Sequence, residues 1–106
     1  MKIFVGKIGC GKTVALIREC VVYNGTYVCS HLKYKGLVEE MALAIGDTLK
    51  KIISFDEYLN LSEEEKKADR FFFDIDELFK DNDAIALSTN KPLTKLLRKE
   101  EVSLSF

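Results

Sequence analysis

Residues 2–13 read KIFVGKIGCGKT. Lys2, Ile3, Phe4 and Val5 have the character of a short buried strand, and Gly6, Lys7, Ile8, Gly9, Cys10, Gly11, Lys12 and Thr13 complete the pattern G-x-x-x-x-G-K-[ST]. At this spacing a strand must end, turn tightly and open a helix, so that successive backbone N–H groups and the helix N-terminus converge on one anion. Gly6, Gly9 and Gly11 permit the turn. The helix expected next is carried by Val14, Leu16, Ile17, Cys20 and Val21, and Asn24-Gly25 supplies its stop. The stretch therefore predicts a nucleotide-phosphate site. Backbone from Gly6 to Val14 lines the phosphates, Lys12 reaches the outer ones as a point charge, and the Thr13 hydroxyl is placed to ligate Mg²⁺. A glycine-rich turn that binds nothing would give no reason for the Lys12-Thr13 pair.

Outward from this loop, strand and helix alternate without internal repeats or low-complexity segments. Residues 26–30 (TYVCS) are a β-rich run, followed by a polar loop over 31–36 and a helix over 37–45 ended by Gly46-Asp47. Residues 51–54 (KIIS) read as a short strand and 56–67 as a helix, with Ser62-Glu63-Glu64-Glu65 opening its second part as a capping box. Residues 71–73 are an intensely apolar strand running into acids, 84–88 (AIALS) another buried strand, 92–99 a helix with Pro92 in its first turn, and 102–106 a last strand. Continuous apolar runs alternating with helices predict an α/β fold: a mostly parallel sheet of about five strands, covered by helices on both faces.

With 106 residues the chain is expected to form one domain, residues 1–106, small for an α/β nucleotide enzyme. Hydrophobic residues at 47% and charged residues at 31% describe an ordinary soluble globule, and a formal net charge of −1 predicts no bulk attraction to nucleic acid or membrane. No apolar run approaches a membrane span, and a strand starting at Lys2 leaves no room for a signal peptide, so the expectation is an intracellular, cytoplasmic protein. Cys10, Cys20 and Cys29 show no Cys-x-x-Cys pairing and have one histidine, His31, beside them, which argues against zinc. Cys10, in the loop before a helix N-terminus, is either a reactive thiol or a small residue that fits the turn. Cys20 and Cys29 read as buried small hydrophobes.

A second site is expected in RFFFDIDELF, residues 70–79. A phosphate loop needs an acid at the carboxyl end of a neighbouring buried strand, because the cation on the phosphates is oriented through that carboxylate. Asp74 directly follows the apolar triplet and fits best. If the strand continues, Asp76 points the same way as Asp74, so a second register with Asp76 at the metal stays open. In either register Glu77 is the residue expected to orient an attacking water, unless Asp76 and Glu77 merely favour the first turn of a short helix. The phenylalanine run is expected to be core, not a base-stacking platform. Tyr23, Tyr27 and Tyr34 are candidates to cover a base.

GKIGCGKT near the N-terminus, an apolar strand ending in DIDELF, and AIALSTN soon after together resemble the P-loop ATPases of the additional-strand, catalytic-glutamate division. Within that division the loop close to residue 1, TYVCSHLKYKG after the first helix, and STNKPLTKLLRKE resemble the zonular-occludens-toxin-like and viral genome-packaging ATPases. The resemblance implies a three-layer, RecA-like P-loop fold of reduced size, with ATP and Mg²⁺ as cofactors. It also implies assembly into a homo-oligomeric ring and coupling of ATP hydrolysis to DNA movement or virion assembly, in a host cytoplasm if virus-encoded. Lys12 and Thr13 would hold phosphate and Mg²⁺, Asp74 would be the second-motif acid, and Ser88, Thr89 or Asn90 would sense the γ-phosphate. In a ring Arg98 would reach a neighbour's site as an arginine finger; alternatively it joins Lys91, Lys95 and Lys99 in a basic patch for DNA phosphates, or the cluster is a solvated helix face diluted by Glu100 and Glu101. Arg70 is a weaker candidate for the same finger.

The chain departs from that family in three places. Ile75 stands where members carry Glu directly after the acid. The interval from Asp76 to Asp83 is short for a parallel crossover, which takes about a dozen residues, so either a very small helix connects the strands or two strands pair antiparallel. The chain also stops after one further strand. Two rival functions follow, a small nucleotide kinase and a nucleotide-binding module without turnover. No Asn-Lys-x-Asp guanine signature is present.

Overall fold

The structure, a computed structural model, describes residues 2–5, 11–75, 84–89 and 103–105, with side-chain surroundings over 11–75. Gly6, Lys7, Ile8, Gly9, Cys10, Asp76, Glu77 and Arg98 lie outside the described residues, as does the helix expected over 92–99.

Six strands form one sheet: β1 (Lys2–Val5), β2 (Thr26–Cys29), β3 (Lys51–Ser54), β4 (Phe71–Asp74), β5 (Ala84–Thr89) and β6 (Ser103–Ser105). Their order is β3-β2-β4-β5-β1-β6. β2 pairs in parallel with β3 and β4, and β1 with β6, whereas β5 is antiparallel to both its neighbours, β4 and β1. The chain is thus a small α/β domain whose six strands fall on the six segments read as strands, with one strand reversed. The reversal has the cause the spacing suggested: from Asp74 to Ala84 there is too little chain for a crossover, so the next strand runs back beside β4.

Because five strands share one direction, the carboxyl ends of β1, β2, β3, β4 and β6 lie along one edge of the sheet. The helices among the described residues are α1 (Lys12–Tyr23), α2 (Lys35–Ala44), α3 (Phe55–Leu59) and α4 (Glu63–Ala68), with a 3₁₀ turn at Leu32–Tyr34. The polar loop expected over 31–36 is therefore shorter, and α2 starts two residues before its expected bound. The helix expected over 56–67 is two helices. Ser54 accepts from the Glu57 N–H and Glu57 from the Ser54 N–H, and Ser62 and Glu65 repeat the arrangement, so each helix has its own capping box.

Alternation along the central strands divides the core in two. Tyr27, Cys29, Ile52 and Phe72 pack under Leu16, Ile17 and Cys20 of α1 and Val38 and Ala42 of α2. Val28, Ile53, Phe71 and Phe73 face the other way, against Tyr58 of α3 and Leu61. Helices cover both faces, and the phenylalanine run is core: Phe72 and Phe73 are fully buried. Each such side chain stabilises the fold by about 1.5–3 kcal/mol relative to exposure. The Tyr58 ring meets Phe71 and Phe73 edge-on, with centroids 5.0 and 4.8 Å away.

α1 ends in a Schellman-type closure. Asn24 adopts the left-handed conformation (φ 52°), its N–H bonds the Val21 carbonyl, and the Gly25 N–H bonds the Cys20 carbonyl at 3.0 Å. Gly25 itself is required by space, since a Cβ there would lie 2.4 Å from Phe72 Cε2 and 2.5 Å from the Arg70 carbonyl oxygen. The Asn24-Gly25 stop thus divides its labour: asparagine turns the chain and glycine lets β4 approach.

Candidate functional site

Gly11 precedes α1 with φ 96° and ψ 14°, a left-handed conformation that glycine adopts without strain. It brings no side chain to cap the helix, and no acid stands in the first turn of α1. Among the described residues no side-chain cap and no first-turn acid stands at the opening of α1, an arrangement that suits an external anion. Lys12 is the first residue of α1 and is only 3% exposed, and Thr13 follows it.

The Thr13 hydroxyl donates to Asp74 Oδ2 at 3.1 Å, across 61 residues of chain. Asp74 is the last residue of β4, paired in register with Cys29 of β2 on one side and Ala86 of β5 on the other. One strand, β5, separates β4 from β1, the strand that leads toward the loop. A third residue joins the pair: the Tyr27 hydroxyl donates to the same Asp74 Oδ2 at 2.5 Å. Tyr27 and Phe72 share a face of the sheet, and Asp74, two residues beyond Phe72, follows the same parity. Burial first, then the negative charge of Asp74 and the hydrogen bond to it, push the Tyr27 phenol well above its ordinary pKa, so it is a fixed donor at any physiological pH.

These oxygens suit a hard divalent cation. Mg²⁺ is usually held by one or two protein oxygens together with substrate phosphates, not by a full protein cage. Thr13 and Asp74 supply a hydroxyl and a carboxylate oxygen 3.1 Å apart, close enough to share one cation; no group of three His, Cys, Asp or Glu assembles here or elsewhere among the described residues. The hydroxyl can give its hydrogen to Asp74 and still present lone pairs to a cation.

Comparison with protein-family models, curated proteins and solved structures finds no match to this chain. The reading of the site therefore rests on its own residues.

The structure redraws several expectations. Ser88 and Thr89, expected near a γ-phosphate, run away from Asp74 along β4: β5 runs backwards, so Asp74 pairs with Ala86, Ser88 with Phe72 and Thr89 with Phe71 at the far end of the strand. Tyr27 is fully buried and cannot cover a base. Tyr23 stacks on Phe72 with centroids 6.2 Å apart, and the Arg70 guanidinium lies 4.4 Å from the Tyr23 ring centre, at the amino end of β4, remote from Asp74. Tyr34 packs near His31 in the turn after β2 and has Lys33 Nζ 5.2 Å above its ring. Ile75, directly after the acid, is buried at 3% exposure, so no carboxylate occupies that position. Cys20 and Cys29 are free and buried; burial, reinforced by the charge of Asp69, pushes the Cys20 thiol up to about 12, and burial raises Cys29 as well. No helix among the described residues is long and apolar enough to cross a membrane.

Tyr27 was a missed member of the site. Its signal was available: a tyrosine inside a four-residue buried strand needs a partner for its hydroxyl, and the acid ending a neighbouring strand is the natural one.

Proposed function

We propose that this chain binds a Mg²⁺–nucleoside triphosphate, with ATP as the nucleotide, and that it hydrolyses the γ-phosphate. The observation that carries the reading is the hydrogen bond between Thr13 and Asp74, which joins the end of the G-x-x-x-x-G-K-[ST] pattern to the acid of a neighbouring strand. Thr13 and Asp74, 61 residues apart in sequence, are hydrogen-bonded to each other, which supports the reading.

The division of roles follows from position. The loop backbone and the opening N–H groups of α1 hold phosphate oxygens, and Lys12 adds a positive charge that is shielded from bulk water. Thr13 would offer its oxygen to the cation while its hydroxyl keeps donating to Asp74. Bound Mg²⁺ would neutralise charge on the β- and γ-phosphate oxygens. Glu77, close after Asp74 in the chain, is the residue proposed to take a hydrogen from the attacking water. The resemblance to packaging ATPases extends the proposal to a homo-oligomer acting on DNA, with Arg98 serving a neighbour's site.

A second reading, nucleotide binding without turnover, is favoured by two specific observations. Ile75 fills the position after the acid with a buried hydrocarbon, and the reversed β5 carries Ser88 and Thr89 away from Asp74. ATP binding and Mg²⁺-dependent turnover measured on wild type, Lys12→Ala and Glu77→Gln separate the two. Hydrolysis is supported if turnover is lost in both variants while Glu77→Gln still binds ATP. Binding without wild-type turnover, with and without DNA, supports the second reading, and no binding at all defeats both.

A further inference from the structure

We propose that Tyr27 is the positioning residue of the cation site: its phenol sets the orientation of the Asp74 carboxylate, and through it the affinity for Mg²⁺ in the nucleotide complex. The inference rests on the Mg²⁺–nucleotide reading and adds a residue to it that the G-x-x-x-x-G-K-[ST] pattern does not contain.

The geometry is specific. Asp74 Oδ2 accepts two hydroxyl hydrogens, one from α1 through Thr13 at 3.1 Å and one from β2 through Tyr27 at 2.5 Å. The two donors come from different layers of the domain, so together they fix the carboxylate against both the helix and the sheet. The Tyr27 ring is fully buried between α1 and the sheet, within the cluster of Leu16, Ile17 and Phe72, so the phenol cannot swing away. A charge-assisted O–H···O⁻ bond of this length belongs to the strong class. β2 also lies beside β4 in unbroken parallel register, Tyr27 opposite Phe72 and Cys29 opposite Asp74, which holds the donor in place along the strand.

Groups that orient the ligands of a metal typically change its affinity 10- to 100-fold when removed. A tyrosine that merely satisfied its own hydroxyl would change stability and leave the metal alone. The two are separated by titrating Mg²⁺ into ATP-loaded protein and, in parallel, ATP into Mg²⁺-free protein, for wild type, Tyr27→Phe, Asp74→Asn and the double variant. The expected result is about a tenfold loss of Mg²⁺ affinity in Tyr27→Phe, with Mg²⁺-free ATP binding within about twofold of wild type, and no further loss when Tyr27→Phe is added to Asp74→Asn. Unchanged Mg²⁺ affinity in Tyr27→Phe overturns the proposal, as does an equal loss in both titrations, which would mark a packing defect. Wild type that binds no ATP defeats the nucleotide reading itself, and this inference with it. A measurement on unliganded wild type keeps the contact testable even if Tyr27→Phe does not fold. The phenol hydrogen of Tyr27 should give a downfield proton resonance in slow exchange that disappears in Asp74→Asn, and its absence from wild type overturns the inference.

Discussion

Thr26 and Tyr27, neighbours on β2, each donate a hydroxyl hydrogen to an aspartate at 2.5 Å, and the two aspartates are put to different use. Thr26 reaches Asp69, just before the amino end of β4; Tyr27 reaches Asp74 at its carboxyl end. Asp69 is answered fully within the fold: the Arg70 N–H donates at 2.8 Å and Lys50 Nζ lies 3.2 Å away. Its cation is a lysine of the same chain. At the other end of β4, Asp74 Oδ2 accepts from the Thr13 and Tyr27 hydroxyls. The same chemistry, a strand hydroxyl on a carboxylate, recurs at both ends of β4, and only the Asp74 end is proposed to serve an external cation. What separates them is the direction of the strands, which puts Asp74 at the edge where the carboxyl ends of β1, β2, β3 and β6 also lie and leaves Asp69 on the opposite one.

The largest effect on stability is expected at the Asp69 end. Gly25→Ala forces a Cβ against Phe72 and the Arg70 carbonyl, and the backbone oxygen cannot rotate out of the way. Chemical denaturation should show a loss of about 3 kcal/mol, the upper part of the range for overpacking. A loss below about 1 kcal/mol would mean that the junction of α1, β2 and β4 is looser than described. Thr26→Val, which keeps shape and removes the donor to Asp69, should cost about 1.5 kcal/mol by the same method and leave ATP binding unchanged. A change in ATP affinity would blur the division between the two ends.

The Asp69 end also predicts an acid limb. Burial works against ionisation of Asp69 and is the largest single influence, but the Thr26 hydroxyl, the Arg70 N–H and Lys50 together hold its carboxyl below the ordinary value of 3.8. The folded group is thus more acidic than the unfolded one. Its contribution is complete above the unfolded value and is lost as pH falls through the folded one. Stability measured from pH 6 to pH 2 should decline below about pH 4, and Thr26→Val should flatten that decline. An equally steep decline in the variant would assign the acid limb to other carboxylates. The smallest effect concerns the thiols: Cys20, pushed up to about 12 by burial and by the charge of Asp69, and Cys29, raised by burial, should resist alkylation at pH 8 in the native protein and react on unfolding, as read by peptide mass mapping. Alkylation of either in the native state would mean that the α1 face of the sheet opens readily.

Much of this was legible because the informative residues are local. GKIGCGKT carries its spacing on its face, and FFFD marks a buried strand ending in an acid, so Thr13 and Asp74 could be paired without knowing the path between them. Strand direction is not local. The short interval after Asp76 left two connections open, and only the sheet shows that β5 runs back, so that Ser88 and Thr89 lead away from Asp74. The split of the 56–67 helix was readable in part. Ser62 to Glu65 announced the second start, while Ser54 to Glu57, the same capping pattern, was hidden by the strand that Ser54 ends. Tyr27 is legible only in part: a tyrosine in a buried strand calls for a hydroxyl partner, but which acid supplies it is a tertiary fact.

The central claim is tested most directly by isothermal titration of ATP, with and without Mg²⁺, into wild type, Asp74→Asn and Asp69→Asn. The account predicts that Mg²⁺ strengthens ATP binding in wild type and in Asp69→Asn, and that Asp74→Asn loses about 10- to 100-fold of that strengthening while its Mg²⁺-free affinity holds. Equal Mg²⁺ dependence in Asp74→Asn and wild type, or no ATP binding by wild type, would contradict it.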